Sequence, residues 1–139
     1  MSGNLRQIRD KLPETEKITI NLGYVDLGRV DLLVGEGFYS NRTDFIRTAI
    51  RNQLGQHAAE VSRSLDRQTL ELGLRTLTVA DLEAARAAGA PLHIKVVGLV
   101  RIAAEVTPEL ARAAIGSLTV LGALQASPEV KAALASRIT

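Results

Sequence analysis

Residues 17–22 are a short segment in which polar and apolar side chains alternate strictly. The apolar residues are Ile18, Ile20 and Leu22, and the polar residues are Lys17, Thr19 and Asn21. A period of two predicts a half-buried β-strand. So short a strand exposes two unpaired edges and is not stable alone. The simplest partner is the same strand of a second chain.

Two helical patterns follow this strand. Between residues 26 and 34 the apolar residues recur at helical spacing, and Gly35 and Gly37 are expected to end the first helix. Asn41 is a favourable N-cap for the second helix, and Asp44 completes a pair similar to a capping box. In a dimer, both helix pairs would supply the core beneath the two strands.

The polar residues of the strand would point outward together in such a dimer. A two-stranded ribbon fits the major groove of DNA, where side chains can read base edges. Asn21 is of the type suited to adenine, Lys17 to guanine, and the methyl group of Thr19 to thymine. The alternative is an ordinary solvated strand face.

The order of these elements and their residues resembles the ribbon-helix-helix family of bacterial DNA-binding proteins, often called CopG-like or Arc/MetJ-like. The resemblance covers about residues 16–54. It is carried by residues 17–22, by the centre of the first helix at residues 30–33, and by the segment FYSNRTDFIRTAIR at residues 38–51. It implies that Lys17, Thr19 and Asn21 contact bases. Gly23 stands where many members have Pro, and Gly28 falls inside the first helix.

The resemblance also implies that the start of the second helix holds a DNA phosphate. Free backbone amides and the positive end of a helix attract phosphate independently of any family. The residues expected there are Ser40, Asn41, Arg42 and Thr43. Arg47 is open between DNA and an internal pair with Asp31, and Arg51 is expected to be solvated. Further auxiliary DNA contacts could come from Arg6, Arg9 and Lys11, unless these belong to a disordered tail.

The rest of the chain repeats around three glycines, Gly73, Gly98 and Gly122, spaced 25 and 24 residues apart. Each glycine lies in an alternating, strand-like run that a short Ala-rich helix follows. These helices are expected to begin at Thr78, Thr107 and Ser127. The strand-helix-strand order predicts parallel neighbours, and the short repeat suggests a solenoid-like stack.

The predicted fold class is therefore α+β: an N-terminal ribbon-helix-helix module for dimerisation and DNA binding, followed by a small C-terminal βα-repeat domain. The predicted regions are a flexible arm at residues 1–15, the DNA-binding domain at 16–54, a linker or helical extension at 55–68, and a three-unit repeat domain at 69–139. Short stacks leave apolar ends, so the repeat domain is expected to join dimers into higher homo-oligomers. A ligand-sensing role ranks second, because no polar cluster marks a pocket.

The composition of the chain excludes several classes of function. The chain contains no cysteine, and its two histidines, His57 and His93, lie far apart, so no metal or other cofactor is expected. No acid–base pair accompanies a nucleophile, so no catalytic residue and no enzymatic activity are assigned. The net charge of +2 excludes a nonspecific DNA coat but not a reader with a few placed groups. Without a signal peptide or membrane span, the protein is expected in the cytoplasm, on the nucleoid when bound to DNA.

The predicted function is a sequence-specific transcriptional regulator, most simply a repressor, that binds double-stranded operator DNA as a homodimer. The alternative is an antitoxin or a plasmid-partition adaptor whose C-terminal domain binds another protein. Antitoxin tails tend to be disordered until bound. The helix caps and the repeated core pattern of residues 69–139 favour an ordered domain and hence assembly.

Overall fold

The computed structural model describes residues 14–139. The predicted contacts of Arg6, Arg9 and Lys11 lie outside these residues. Six α-helices, one 3-10 helix and one three-stranded sheet are present in the described part. The chain divides into two compact units between Ala59 and Glu60.

The first unit contains helices α1 (Tyr24–Gly35) and α2 (Arg42–Gln56), both of which lie entirely before the division. The end of α1 is a Schellman motif: the amide of Phe38 donates to the carbonyl of Leu33 and that of Gly37 to Val34. Gly37 has φ of 87°, a conformation that favours glycine. The predicted end of the first helix is confirmed.

Residues 15–23, which precede α1, are in neither a helix nor a strand. The half-buried strand predicted at residues 17–22 is therefore not present in the single chain. Ile18 is 71% exposed, Ile20 54% and Leu22 43%, so the apolar side of the segment is not covered either. The physical reason is that a strand needs a hydrogen-bonded neighbour, and no described residue pairs with this segment.

Residues 55–68, expected as a linker or a helical extension, are mostly helical. Helix α2 continues to Gln56, and helix α3 (Ala58–Gln68) follows after His57. Thr69 then adopts φ of 55° and turns the chain out of the helix. This left-handed conformation is rare for a β-branched residue.

The second unit is built around a parallel sheet whose strands follow one another in sequence order, β1-β2-β3. Its elements are β1 (Glu71–Leu77), α4 (Val79–Ala87), β2 (Leu92–Ile102), α5 (Pro108–Ala114), β3 (Ile115–Gln125), α6 (Pro128–Ala133) and the 3-10 helix Ala135–Arg137. The predicted strand-helix order and the parallel neighbours are confirmed.

The three predicted N-caps of this unit are confirmed as well. The hydroxyl of Thr78 accepts from the amide of Asp81, and that of Thr107 accepts from Leu110. Ser127 caps α6 by accepting from the amide of Val130. Each cap satisfies one of the amides that the first turn of a helix leaves unpaired.

Gly73, Gly98 and Gly122 form one row across the sheet, because Gly73 pairs with Gly98 and Gly98 pairs with Gly122. All three have positive φ, at 137°, 140° and 124°. A Cβ on Gly98 would lie 2.1 Å from the carbonyl oxygen of Gly73, and one on Gly122 would lie 2.0 Å from that of Gly98. The close approach of the backbones requires glycine at positions 98 and 122, whereas at Gly73, where a Cβ would meet nothing within 4 Å, the positive φ alone favours glycine.

The core of the second unit lies on the face of the sheet that the helices cover. On β2 the alternate residues Ile94, Val96, Val100 and Ile102 are buried. Helix residues of the same cluster include Leu82, Leu110, Ala111 and Leu134. The chain thus folds residues 77–138 around a continuous apolar core.

Candidate nucleic-acid interface

The three predicted base readers, Lys17, Thr19 and Asn21, are exposed on the segment that precedes α1. The segment runs beside α2, and the two enclose a groove of about 650 Å³. Ile18 and Ile20 line this groove together with residues of α2. The alternation found in the sequence therefore separates groove-lining isoleucines from two of the polar residues, Thr19 and Asn21, which do not line it.

Cations gather along the same groove. Lys17 on the segment and Arg47 and Arg51 on α2 all contribute to its lining. Arg51, expected to be solvated, is exposed, as is Arg47. Glu16 also lines the groove, so the three cations stand there against one carboxylate.

The start of α2 is organised by Asn41 and Asp44. The side-chain oxygen of Asn41 accepts from the amide of Asp44 at 2.8 Å, which confirms the predicted N-cap. The carboxylate of Asp44 accepts from the amide of Ser40 at 2.9 Å, one residue before the position that a capping box uses. The amides of Arg42 and Thr43, first in the helix, have no acceptor within residues 14–139.

Arg42 makes the ion pair that joins the two helices of the first unit. Its Nε donates to Oδ1 of Asp31 and its Nη2 to Oδ2, both at 2.8 Å. This hydrogen bond lowers the pKa of Asp31 and raises the pKa of Arg42 from their ordinary values. Asp31 is therefore bound by Arg42, and the internal pair of Asp31 with Arg47 that the sequence left open is not formed.

This ion pair changes what Arg42 can offer to a phosphate. Two of its guanidinium donors are committed to Asp31, while its backbone amide remains at the helix start. No pattern in the sequence indicates this pair, because Asp31 and Arg42 are eleven positions apart and belong to different helices. A geometry with both donors on one carboxylate fixes the start of α2 against α1.

A second contact that sequence reasoning missed supports the turn before α2. The rings of Tyr39 and Phe45 meet edge to face, with centroids 5.0 Å apart and an interplanar angle of 83°. Such pairs are a favoured aromatic geometry. The contact holds the loop of residues 36–41 at the helix start that carries Arg42 and Thr43.

Much apolar surface of the first unit is open to solvent. Among residues 14–59, Val30 is the buried residue, whereas Leu32 and Leu54 are each 61% exposed. Ile18, Ile20 and Ile50 add to this surface. Of these residues, Ile18, Ile20 and Ile50 line the same groove. An exposed apolar patch of this kind is typical of an interaction surface.

The two histidines have ordinary polar neighbours. A ring nitrogen of His57 lies 3.3 Å from the side-chain amide of Gln53, and Nδ1 of His93 lies 2.8 Å from the hydroxyl of Ser117. Within residues 14–139, no group of three or more His, Asp or Glu side chains could hold a metal ion. None of the helices in this part of the chain has the length and apolar character needed to cross a membrane.

The chain matches a model of a known protein family. The model of the Ribbon-Helix-Helix transcriptional regulator family matches residues 13–131, most of the chain. The match extends through β1, β2 and β3, well beyond the residues 16–54 that carry the resemblance seen in the sequence. Comparisons with curated proteins and with solved structures gave no match.

Proposed function

The chain belongs to the Ribbon-Helix-Helix transcriptional regulator family, and on this premise we propose that its dimer reads the major groove of operator DNA with a two-stranded ribbon. The family consists of DNA-binding regulators that typically form dimers. The regulator is most simply a repressor, acting on the nucleoid in the cytoplasm without a cofactor or an enzymatic step.

The observation that carries this proposal is the exposure of both sides of residues 17–22. Pairing with the same segment of a second chain would cover Ile18, Ile20 and Leu22 between the helices of both chains. The polar residues Thr19 and Asn21 would then lie together on the outer face of a ribbon, with Lys17 beside them. Antiparallel two-stranded ribbons are one of the elements that the major groove admits.

Phosphate contacts would flank the ribbon. The open amides of Arg42 and Thr43 and the positive end of α2 suit a phosphate oxygen. The side chains of Ser40 and Asn41 lie at the same helix start, and Arg47 would add a cation from the middle of α2. In this arrangement the Asp31 carboxylate positions Arg42 and hence the helix start.

We further propose that the first unit is the ribbon-helix-helix module and that residues 69–139 form a solenoid-like βα-repeat domain that joins dimers. The capped helices and the buried core of that domain support an ordered assembly element over the disordered tail of an antitoxin. Several ribbons joined in one assembly would bind adjacent half-sites with increased avidity.

The test of base reading begins with in vitro selection of bound DNA, followed by fluorescence-polarisation titration of Asn21→Ala and Thr19→Ala on the selected site and on single-base variants. Each substitution should cost about 1–3 kcal/mol on the selected site and relax specificity at one position. Asn52→Ala is the matched control, because it makes the same substitution at an exposed position of α2. It should leave both the affinity and the specificity unchanged. Unaltered specificity in both reader variants would contradict the assignment.

A second titration separates the two roles of Arg42. Arg42→Ala should weaken binding to all sequences and reduce the salt slope by about 1 if the guanidinium contacts phosphate. Asp31→Ala breaks the same ion pair but keeps the cation. If both variants weaken binding equally with an unchanged salt slope, Arg42 acts by positioning α2 and the phosphate is bound by backbone amides alone.

A further inference from the structure

The two edge strands of the sheet in the second unit, β1 and β3, differ in whether further residues pair with them. At the β3 edge, Leu118 forms a parallel bridge with Ile138, and its carbonyl accepts from the amide of Thr139 at 2.9 Å. The hydroxyls of Thr119 and Thr139 are 2.7 Å apart at the same place. At the other edge, β1 (Glu71–Leu77) pairs with β2 on one side, and on its other side no strand within residues 14–139 pairs with it. Unpaired edges are templates for another strand.

The residues of β1 on the two sides of Gly73 are arranged symmetrically, with a leucine next to the glycine and a charged residue beyond it on each side. Leu72 and Leu74 flank the glycine, and Glu71 and Arg75 with opposite charges flank the leucines. In an antiparallel pair about a two-fold axis at Gly73, residue 71 of each copy lies opposite residue 75 of the other, and residue 72 opposite residue 74. A parallel pair in register would instead place like charges together.

The side chains needed for this pairing are accessible. Leu72 is 69% exposed and Leu74 is 49% exposed. Nη1 of Arg75 lies 3.4 Å from Oε1 of Glu71, and the side chains of Glu71 and Arg75 are 63% and 36% exposed. They are able to exchange partners with a second copy, because neither is buried. Cross-strand pairs of opposite charge and of apolar residues both stabilise a sheet.

We propose that β1 pairs antiparallel with β1 of a second copy about a two-fold axis at Gly73. The contact joins two ribbon-helix-helix dimers and makes one continuous sheet from three strands of each copy. It rests on the assembly role proposed above for residues 69–139. Charges on an edge strand commonly prevent pairing. Here the opposite signs of Glu71 and Arg75 attract only an inverted copy of the same strand, so they select this partner.

Charge reversal in the full chain tests the pairing. Glu71→Arg and Arg75→Glu each place like charges at both cross-strand contacts and should weaken association at least about tenfold. Mass measured by analytical ultracentrifugation should fall from four chains to two. The double variant Glu71→Arg/Arg75→Glu should regain the mass of four chains, as should the two single variants when co-expressed. Glu83→Arg removes a helical ion pair with Arg86 and is the control, expected to keep four chains.

Disulfide cross-linking tests the register. The natural chain has no cysteine, so Leu72→Cys and Leu74→Cys can be introduced singly and the two proteins co-expressed with different tags. The mixed pair should cross-link at least tenfold faster than either variant with itself, because position 72 opposes position 74. Equal rates, or no cross-link between the mixed variants, would overturn the inference.

These outcomes separate this inference from the proposed function. A wild-type chain with the mass of two chains, or a Glu71→Arg variant that keeps four, would overturn β1 pairing while DNA binding by the dimer continues. A wild-type chain that binds no selected DNA but cross-links as expected would contradict the proposed function and support the pairing. Circular dichroism of each variant confirms that the sheet is folded before the mass is compared.

Discussion

Alanine at Gly98 should destabilise the second unit far more than alanine at Gly73, although both glycines have nearly the same φ. At Gly98 the new Cβ would lie 2.1 Å from the Gly73 carbonyl oxygen, against the 3.4 Å at which ordinary contact begins. At Gly73 a Cβ would meet nothing within 4 Å. The comparison isolates the backbone clash from the conformational cost.

The expected magnitudes follow from these two costs. A non-glycine residue with so positive a φ costs about 1–3 kcal/mol, and this is the whole penalty at Gly73. Forcing apart packed backbone adds about 1–3 kcal/mol at Gly98, as for other overpacked sites. We therefore expect Gly98→Ala to cost about 2–6 kcal/mol, a large fraction of the 5–15 kcal/mol that stabilises an ordinary domain.

Urea unfolding with two probes measures these costs in the full chain. All aromatic residues, Tyr24, Phe38, Tyr39 and Phe45, lie in the first unit and there is no tryptophan. Tyrosine fluorescence therefore reports the first unit, whereas far-ultraviolet circular dichroism also reports the second. Gly98→Ala should lower the dichroism midpoint by about 1 M or more without moving the tyrosine midpoint. A midpoint equal to that of Gly73→Ala would refute the close approach of β1 and β2 at the glycine row.

Two further predictions concern the first unit. Ile20→Lys should halve the mass of the assembly and abolish DNA binding, because it places a charge where the strands of two chains would pair. Sedimentation measures the mass and polarisation titration measures DNA binding, and an unchanged mass would contradict the strand pairing. Asp31→Asn should make the tyrosine-detected urea midpoint less sensitive to pH between 7 and 3. Arg42 lowers the pKa of Asp31, so the carboxylate contributes stability that is present above about pH 4 and is lost as the pH falls through its folded pKa. Equal sensitivity in variant and wild type would contradict that contribution.

Local signals in the sequence predicted the second unit well. The caps at Thr78, Thr107 and Ser127 each need only a hydroxyl and the next turn of backbone, so their residue types were sufficient. The glycine spacing predicted strands that the structure pairs in register. The strand limits were less accurate, since β3 begins at Ile115, three residues before the predicted run. Within this added stretch the register shifts by one residue, because Leu92 pairs with Ile115 but His93 pairs with Ser117.

Features that depend on distant residues could not be predicted. The bond between Asp31 and Arg42 joins two helices through a loop whose path the sequence does not define. The edge-to-face contact of Tyr39 and Phe45 depends on the same loop. The segment of residues 17–22 differs from both, because its pattern requires a strand partner that the single chain does not contain. Its pairing remains a prediction about the dimer.

The two units are stabilised in different ways, and this difference bears on DNA binding. The second unit buries its own core, whereas Val30 is the buried residue among residues 14–59. The first unit must therefore gain most of its apolar burial from a second chain, so its folding is coupled to concentration. Part of the free energy of operator binding is then spent on forming the dimer. Pairing of β1 with a second copy would hold neighbouring modules at high effective concentration and lower that cost. A variant that breaks β1 pairing should thus bind a single operator site with unchanged sequence preference but with a steeper dependence on protein concentration.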